Sequence, residues 1–194
     1  MKKSYIIPTS LVALATIVTV SSASALAANN GYGQSSINRA KGSNASSNLA
    51  TDTLNEQDKQ SLLFMIEEEK LAHDLYVAFY EKWGVSAFNT ISKSETSHQK
   101  SVANVLQKYN ISDPRISEAG KFTNQDLQKL YDSLLARGLT SSADALAVGV
   151  DVEKKDIADL QQAMNATSNA TLDTMYGRLL KGSENHLRAF SRVS

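Results

Sequence analysis

Three glutamates and two histidines of this chain occupy positions that ought to be apolar. From Leu62 the residues Leu62, Met65, Glu69, Ala72, Tyr76, Phe79 and Trp83 recur at alternating steps of three and four. That is the stripe a packed helix turns toward its neighbours, and Glu69 falls in its middle. The same rhythm gives Phe88, Ile91, Glu95, His98, Val102, Val105 and Tyr109, and then Ala143, Leu146, Val150, Glu153, Ile157, Leu160 and Met164. A fourth stripe runs Leu172, Tyr176, Leu179, Ser183, His186 and Phe190. An unpaired carboxylate in an apolar interior costs several kcal/mol, so cores keep one only where something compensates it. Three acids and two imidazoles meeting at one depth must share protons or hold a cation. A metal ion is the simplest answer.

The elements that would bring these side chains together are helices. Thr53-Leu54-Asn55-Glu56 fits a capping box that opens a first helix, which stops at Trp83-Gly84. A second covers about Ser86 to Tyr109 and ends in the breaker run Asn110-Ile111-Ser112-Asp113-Pro114. Thr123, with Asp126 three residues on, opens a shorter helix ending at Arg137-Gly138. Ser141, with Asp144 three on, starts the third long helix, to about Ala166, and Asn169 caps the last. Gly149, Gly177 and Gly182 fall inside helices at some cost in propensity, where they would let a neighbour or a bulky site come close. The short Gly84 turn makes the first two helices antiparallel neighbours, whereas roughly thirty residues separate the second and third. The expected fold is all-α, a four-helix bundle of the ferritin-like kind, with an additional short helix in the long connection between the second and third bundle helices. Glu69, Glu95, His98 and Glu153 then fall near mid-helix, and His186 about a turn and a half past it.

Bundles that hold two metals take one Glu from each of two helices and a Glu-x-x-His from each of the other two. Glu69 and Glu153 match the single glutamates, and Glu95-Thr96-Ser97-His98 is one full Glu-x-x-His. The fourth helix reads Ser183-Glu184-Asn185-His186, with the histidine and without the glutamate. Glu69-Lys70-Leu71-Ala72-His73-Asp74-Leu75-Tyr76 resembles the Glu-x-x-Ala-x-x-x-Tyr of rubrerythrin-type di-iron helices. Together with Ser94-Glu95-Thr96-Ser97-His98 and Asn185-His186-Leu187-Arg188-Ala189-Phe190, it resembles the ferritin-like proteins grouped as domain of unknown function 2202, from about Leu54 onward. That family carries no settled activity. The wider ferritin-like resemblance implies two irons that reduce oxygen or peroxide, or that oxidise and store iron.

The expected ligands are therefore Glu69, Glu95, His98, Glu153 and His186, for iron first, with two ions, and for manganese or zinc as alternatives. A serine is a poor ligand, so Ser183 leaves three arrangements open: water or an anion in the gap, Asp156 as the replacement carboxylate, or a single metal. Glu184 lies about 100° off the stripe. His73 is a candidate accessory ligand, and Asp74 or Asp156 a candidate acceptor that fixes a histidine tautomer. Tyr76 reads as core or as a redox-active tyrosine. Glu67, Glu68 and Lys70 read as a solvated face.

The whole chain bounds the rest. Lys2 and Lys3 precede an apolar run and the small-x-small sites Ala23-Ser24-Ala25 and Ala25-Leu26-Ala27, so residues 1–27 read as a cleaved secretory signal peptide. Residues 28–52, rich in Ser, Asn and Gly, read as a flexible tether, and 53–194 as the helical domain. The expected location is secreted, periplasmic or cell-surface, with no transmembrane segment once the signal is removed. Cysteine is absent, which excludes disulfides, thiolate ligands and cysteine nucleophiles. Twenty acids balance twenty bases, and the bases are scattered, which argues against a nucleic-acid partner. Metal ions, oxygen or peroxide and a second copy of the chain remain as expected partners. The competing expectation is a non-catalytic exported helical module whose buried polar network shares protons and holds no metal. Whether the protein is an enzyme stays open at this point.

Overall fold

The computed structural model describes residues 53–193; the expected signal peptide and tether lie outside them. Among the described residues there are five helices and no strand: α1 (Glu56–Trp83), α2 (Ser86–Lys108), α3 (Gln125–Gly138), α4 (Ser142–Ala166) and α5 (Ala170–Ser191). None is long and apolar enough to cross a membrane.

Local chemistry sets the ends. Asn55 and Asp58 form the capping box of α1, each accepting from the other's backbone N–H, two residues beyond the Thr53–Glu56 pair expected. The amide side chain of Asn55 competes better for the free amides than a threonine two positions earlier. Gly84 ends α1 in the left-handed region at φ 68°, a conformation glycine adopts without Cβ strain. Asn124, rather than Thr123, caps α3, accepting from Asp126 and Leu127. Ser141 and Asn169 cap α4 and α5 as expected.

The four long helices close into a ring, α1 against α2, α2 against α5, α5 against α4 and α4 against α1, while α3 packs on α1 and α4. The α1–α2 and α4–α5 pairs are joined by short turns, and contacts across the other two seams run in opposite directions along the paired helices. Between α2 and α5, Ser94 meets His186 and Lys108 meets Thr171. Between α1 and α4, Tyr76 meets Glu153 and Glu68 meets Lys155. Every neighbouring pair is therefore antiparallel, which makes α2 and α4 parallel across the diagonal. Residues 109–141 must then run back along the length of the ring. That geometric demand accounts for the long connection and for α3 within it.

The returning segment covers the outer face of α1. Glu67, Glu68 and Lys70, expected in solvent, are 3%, 3% and 6% exposed. Glu67 accepts the backbone N–H groups of Thr123 at 2.6 Å and Asn124 at 3.0 Å. Lys70 donates to the Glu118 carbonyl at 3.0 Å and to Asp74, and Asp74 accepts the Gly120 N–H at 2.9 Å. The charges on this face thus satisfy loop amides and carbonyls that would otherwise be buried unpaired. The apolar interior divides into two clusters. One holds Phe79, Phe88, Phe122 and Phe190; the other holds Leu62, Leu106, Leu160 and Tyr176. On α4 the buried face is broader than the expected stripe: Leu146, Glu153 and Leu160 lie inside as expected, joined by Ala145, Val148, Gly149, Val152, Asp156 and Ala163, while Ala143 is exposed. The helix packs on α1, α5 and also α3, which leaves it fewer open sides.

Replacing Glu67 by Ala removes the acceptor of two loop amides and should cost about 1–3 kcal/mol. Limited proteolysis between α2 and α3 should rise with it, and unchanged cleavage and melting would contradict this account of the loop.

Candidate metal centre

Five ionisable side chains from all four long helices converge between the two apolar clusters. α1 supplies Glu69, α2 supplies Glu95 and His98, α4 supplies Glu153 and α5 supplies His186; all five are buried. The three-residue spacing of Glu95 and His98 puts both on one face of α2. His98 Nδ1 lies 2.8 Å from Glu95 Oε2 and 3.2 Å from Glu69 Oε2. His186 Nδ1 lies 2.9 Å from Glu95 Oε1 and 3.5 Å from Glu153 Oε2. Glu95 is thus held between two imidazoles, whose rings lie 5.3 Å apart and tilted by only 26°. Donor atoms of Glu95, His98 and His186 all fall within 4.8 Å of one another.

Polar neighbours fix these side chains. The Tyr76 hydroxyl donates to Glu153 Oε1 at 2.6 Å, and its ring lies 5.1 Å from that of Phe190, so it is both core and part of the polar site. His186 Nε2 lies 2.9 Å from the Ser94 hydroxyl, which leaves Nδ1 for the centre. Ser183 donates to Asp156 and, at 3.1 Å, to the Leu179 carbonyl. The serine in place of the expected glutamate thus holds a carboxylate from the neighbouring helix. His98 rests against the backbone of α5: a Cβ on Gly182 would come within 2.4 Å of its Nε2. Glycine is required there by that approach.

Burial and mutual repulsion set the protonation. Burial pushes Glu69 well above the usual carboxylate range, against the hydrogen bond from His98, and the charge of Glu95 adds to it. Burial likewise raises Asp156, with Glu69 reinforcing it, and raises Glu153 to about 7. For Glu95 burial is outweighed by the two imidazoles, which hold it down to about 2. Burial opposes protonation of the histidines, but Glu69 and Glu95 bring His98 to about 11, and Glu153 and Glu95 bring His186 to about 9.

Even so, the network does not satisfy itself. Glu69 Oε1, Glu95 Oε1, Asp156 Oδ1 and His186 Nδ1 are buried without a hydrogen-bond partner. Glu95 Oε1 and His186 Nδ1 approach to 2.9 Å yet are not aligned as acceptor and donor. An ion between them would take the Glu95 lone pair and, once the ring proton has left, the His186 lone pair as well. Paired imidazole nitrogens with several carboxylate oxygens are also the donor set that divalent transition metals take, so the residues present fit such an ion.

A family model for the uncharacterised protein domain DUF2202 matches residues 58–194. The chain belongs to this family. Among similar DUF2202-like sequences is the uncharacterised protein MJ0754 of Methanocaldococcus jannaschii, 43% identical over 148 residues, or 76% of this chain and 80% of that protein. The crystal structure of hypothetical protein MJ0754 matches with a TM-score of 0.72, covering 73% of this chain and 81% of that one. All five expected ligands of this DUF2202 chain lie within the matched segment.

Not every candidate joins the centre. His73 Nδ1 lies 2.9 Å from Asp74 Oδ1, and Asp74 is committed to that ring, to Lys70 and to Gly120. The two form a pair under the returning loop. Asp156, by contrast, points among Glu69, Glu95 and Glu153. Sequence reasoning passed over Ser94 and the particular use of Gly182. Ser94 could have been found one helical turn from His98 on the site face, and Gly182 as a costly helical glycine beside a polar position.

Gly182→Ala should therefore lower thermal stability by about 1–3 kcal/mol through overpacking against His98. Gly177→Ala, whose Cβ would meet only Met164 at 3.6 Å, should instead gain up to about 1 kcal/mol from helix propensity. Equal effects on the two melting curves would refute the seat assigned to His98.

The pH dependence of the metal-free protein follows from the same shifts. Glu153, His186 and His98 are all raised, from 4.5, 6.5 and 6.5 to about 7, 9 and 11, so the folded state binds more protons and stability falls as pH rises. Glu95, lowered from 4.5 to about 2, stabilises above the upper value and loses that contribution as pH falls through the lower. Melting temperature in chelator should be highest near pH 5 and decline toward pH 9; a rise over that window would count against the protonation pattern.

Proposed function

We propose that this protein is an exported metal-binding protein of the ferritin-like di-iron carboxylate type, which reduces oxygen or peroxide or oxidises iron. The observation that carries the reading is the unaligned 2.9 Å approach of Glu95 Oε1 and His186 Nδ1 beside further unpartnered carboxylate oxygens. A ring of four antiparallel helices with a long return between parallel α2 and α4 supports the ferritin-like plan. Export rests on the residues at 1–27, read as a signal peptide.

In this reading Glu69, Glu95, His98, Glu153 and His186 hold the metal, iron first and manganese or zinc as alternatives. If two ions bind, Glu95, flanked by both histidines, or Glu153 would be the glutamate shared between them. Asp156, presented by Ser183, offers the carboxylate that the α5 sequence lacks. Iron held there would supply electrons to oxygen or peroxide, or lose them to it. The chain's own part is to present anionic oxygens in a dry interior, to fix His186 through Ser94, and to keep a phenol proton on Glu153 through Tyr76. Binding requires the histidine protons to leave, so affinity should rise with pH.

A second reading is favoured by the placement of Glu95 between two raised histidines, since such ion pairs neutralise much of the buried charge without a metal. The domain would then be a non-catalytic exported helical module. Metal analysis separates the two. The mature protein loaded anaerobically with ferrous iron should retain up to two metals per chain, and Glu95→Ala with His98→Ala should retain none. Chelation should lower the melting temperature of the loaded protein, because a ligand bound only to the native state adds to its stability. Unchanged metal content in the double variant would remove the assignment, and a melting temperature indifferent to chelator would favour the second reading.

A further inference from the structure

We infer that the α1–α4 seam is the entrance through which a divalent cation reaches the centre, lined by Glu68 and Asp156 and closed by the ammonium of Lys155. The inference rests on the metal-binding reading above and adds a route to it.

Among the described residues, four of the five buried side-chain atoms without a hydrogen-bond partner are carboxylate oxygens: Glu68 Oε2, Asp156 Oδ1, Glu69 Oε1 and Glu95 Oε1. Glu68 and Asp156 belong to facing helices on the seam where Glu68 meets Lys155, the residue before Asp156. Glu69 follows Glu68 on α1, and its Oε2 is at the His98 ring that also meets Glu95. Asp156 feels the charge of Glu69 and Glu95 and itself acts on Glu68, so the unpaired oxygens lead from the seam to the centre. They are 3%, 6%, 2% and 2% exposed by residue, so bulk water does not compensate them.

The outer end of the row already carries a cation. Lys155 Nζ donates to Glu68 Oε1 at 2.9 Å and also to Asp159, and it lies 5.1 Å from the centre of the Phe64 ring. Its side chain is 41% exposed, against 4% for that of Glu68. The ammonium is therefore the solvent-side partner of the pair, and its departure would leave the acid beneath it buried and unpaired until another cation took its place. Outside Lys155 a groove of about 360 Å³ opens between α1 and α4, with Ser61, Phe64, Asp159 and Gln162 on its walls. Phe64 and Asp159, two of the three groups Lys155 meets, are shared with that groove, which brings it beside the ammonium.

A hydrated divalent cation suits this path better than an anion or an apolar ligand. Beyond the ammonium each successive group is a buried acceptor with a free lone pair. Asp156, oriented by Ser183, is both the last carboxylate on the way in and a carboxylate of the centre itself.

The test follows cobalt(II) uptake by the metal-free full chain, through the visible absorption that appears when cobalt takes imidazole and carboxylate donors. Glu68→Gln should slow loading at least about tenfold and leave the final cobalt content unchanged, and Lys155→Met should load several-fold faster than wild type. Wild-type loading rates in both variants, or a lower final cobalt content in Glu68→Gln, would overturn the entrance while leaving the centre intact. Wild-type protein that takes up no cobalt would overturn the centre and the entrance together. Should Glu68→Gln fail to fold, as judged by circular dichroism, the Lys155→Met rate decides.

Discussion

The fold is organised around an electrostatic problem at its centre, the carboxylate of Glu95 in a dry interior with an imidazole on either side. Left alone there, that charge would be worth several kcal/mol of destabilisation. His98 and His186 relieve it, and each brings a further acid with it, Glu69 on one side and Glu153 on the other. The result is a surplus of acids over bases at mid-ring that the protein's own protons absorb only in part. Both the proposed metal and the proposed entrance are answers to that surplus, on the inner and outer ends of the same row of oxygens.

α1 carries two sets of charges with different duties, and its sequence interleaves them. Glu69 faces the centre; Glu68 faces α4; Glu67, Lys70 and Asp74 face the returning segment and bind its backbone. A run of three consecutive glutamates would ordinarily be a solvated surface. Here each residue, separated from the next by about 100° of helix rotation, meets a different partner. The helix is buried on nearly every side because α2, α4 and the loop with α3 together surround it.

Much of this was legible in the residues before any coordinates. Periodicity gave the helices, caps and glycines gave their ends within a residue or two, and polar residues on apolar stripes marked Glu69, Glu95, His98, Glu153 and His186 as a group. What was not legible depended on tertiary partners. The burial of Glu67 and Lys70 is set by a loop some fifty residues away, and that of Glu68 by α4, which no local pattern reports. The hydrogen bond that ties Asp156 to Ser183 is likewise a contact between helices, although its place one turn from Glu153 already marked Asp156 as a candidate carboxylate. His73 and Asp74 lie one turn from Glu69 in sequence, yet the returning loop engages Asp74, and His73 with it. The resemblance to DUF2202 carried the family and brought no activity with it, so function had to be argued from the atoms.

The parallel run of α2 and α4 has a further consequence for how the molecule assembles. α1 with α2, and α4 with α5, are each helical hairpins joined by two or three residues, so each can form quickly from local contacts. The first hairpin contributes Glu69, Glu95 and His98, and the second Glu153, Asp156, Ser183 and His186. Neither half holds the carboxylate bridge from one imidazole to the other. The centre therefore comes into being only at the docking of the hairpins, and an ion lodged there would act as a rivet across the slowest-formed interface of the chain.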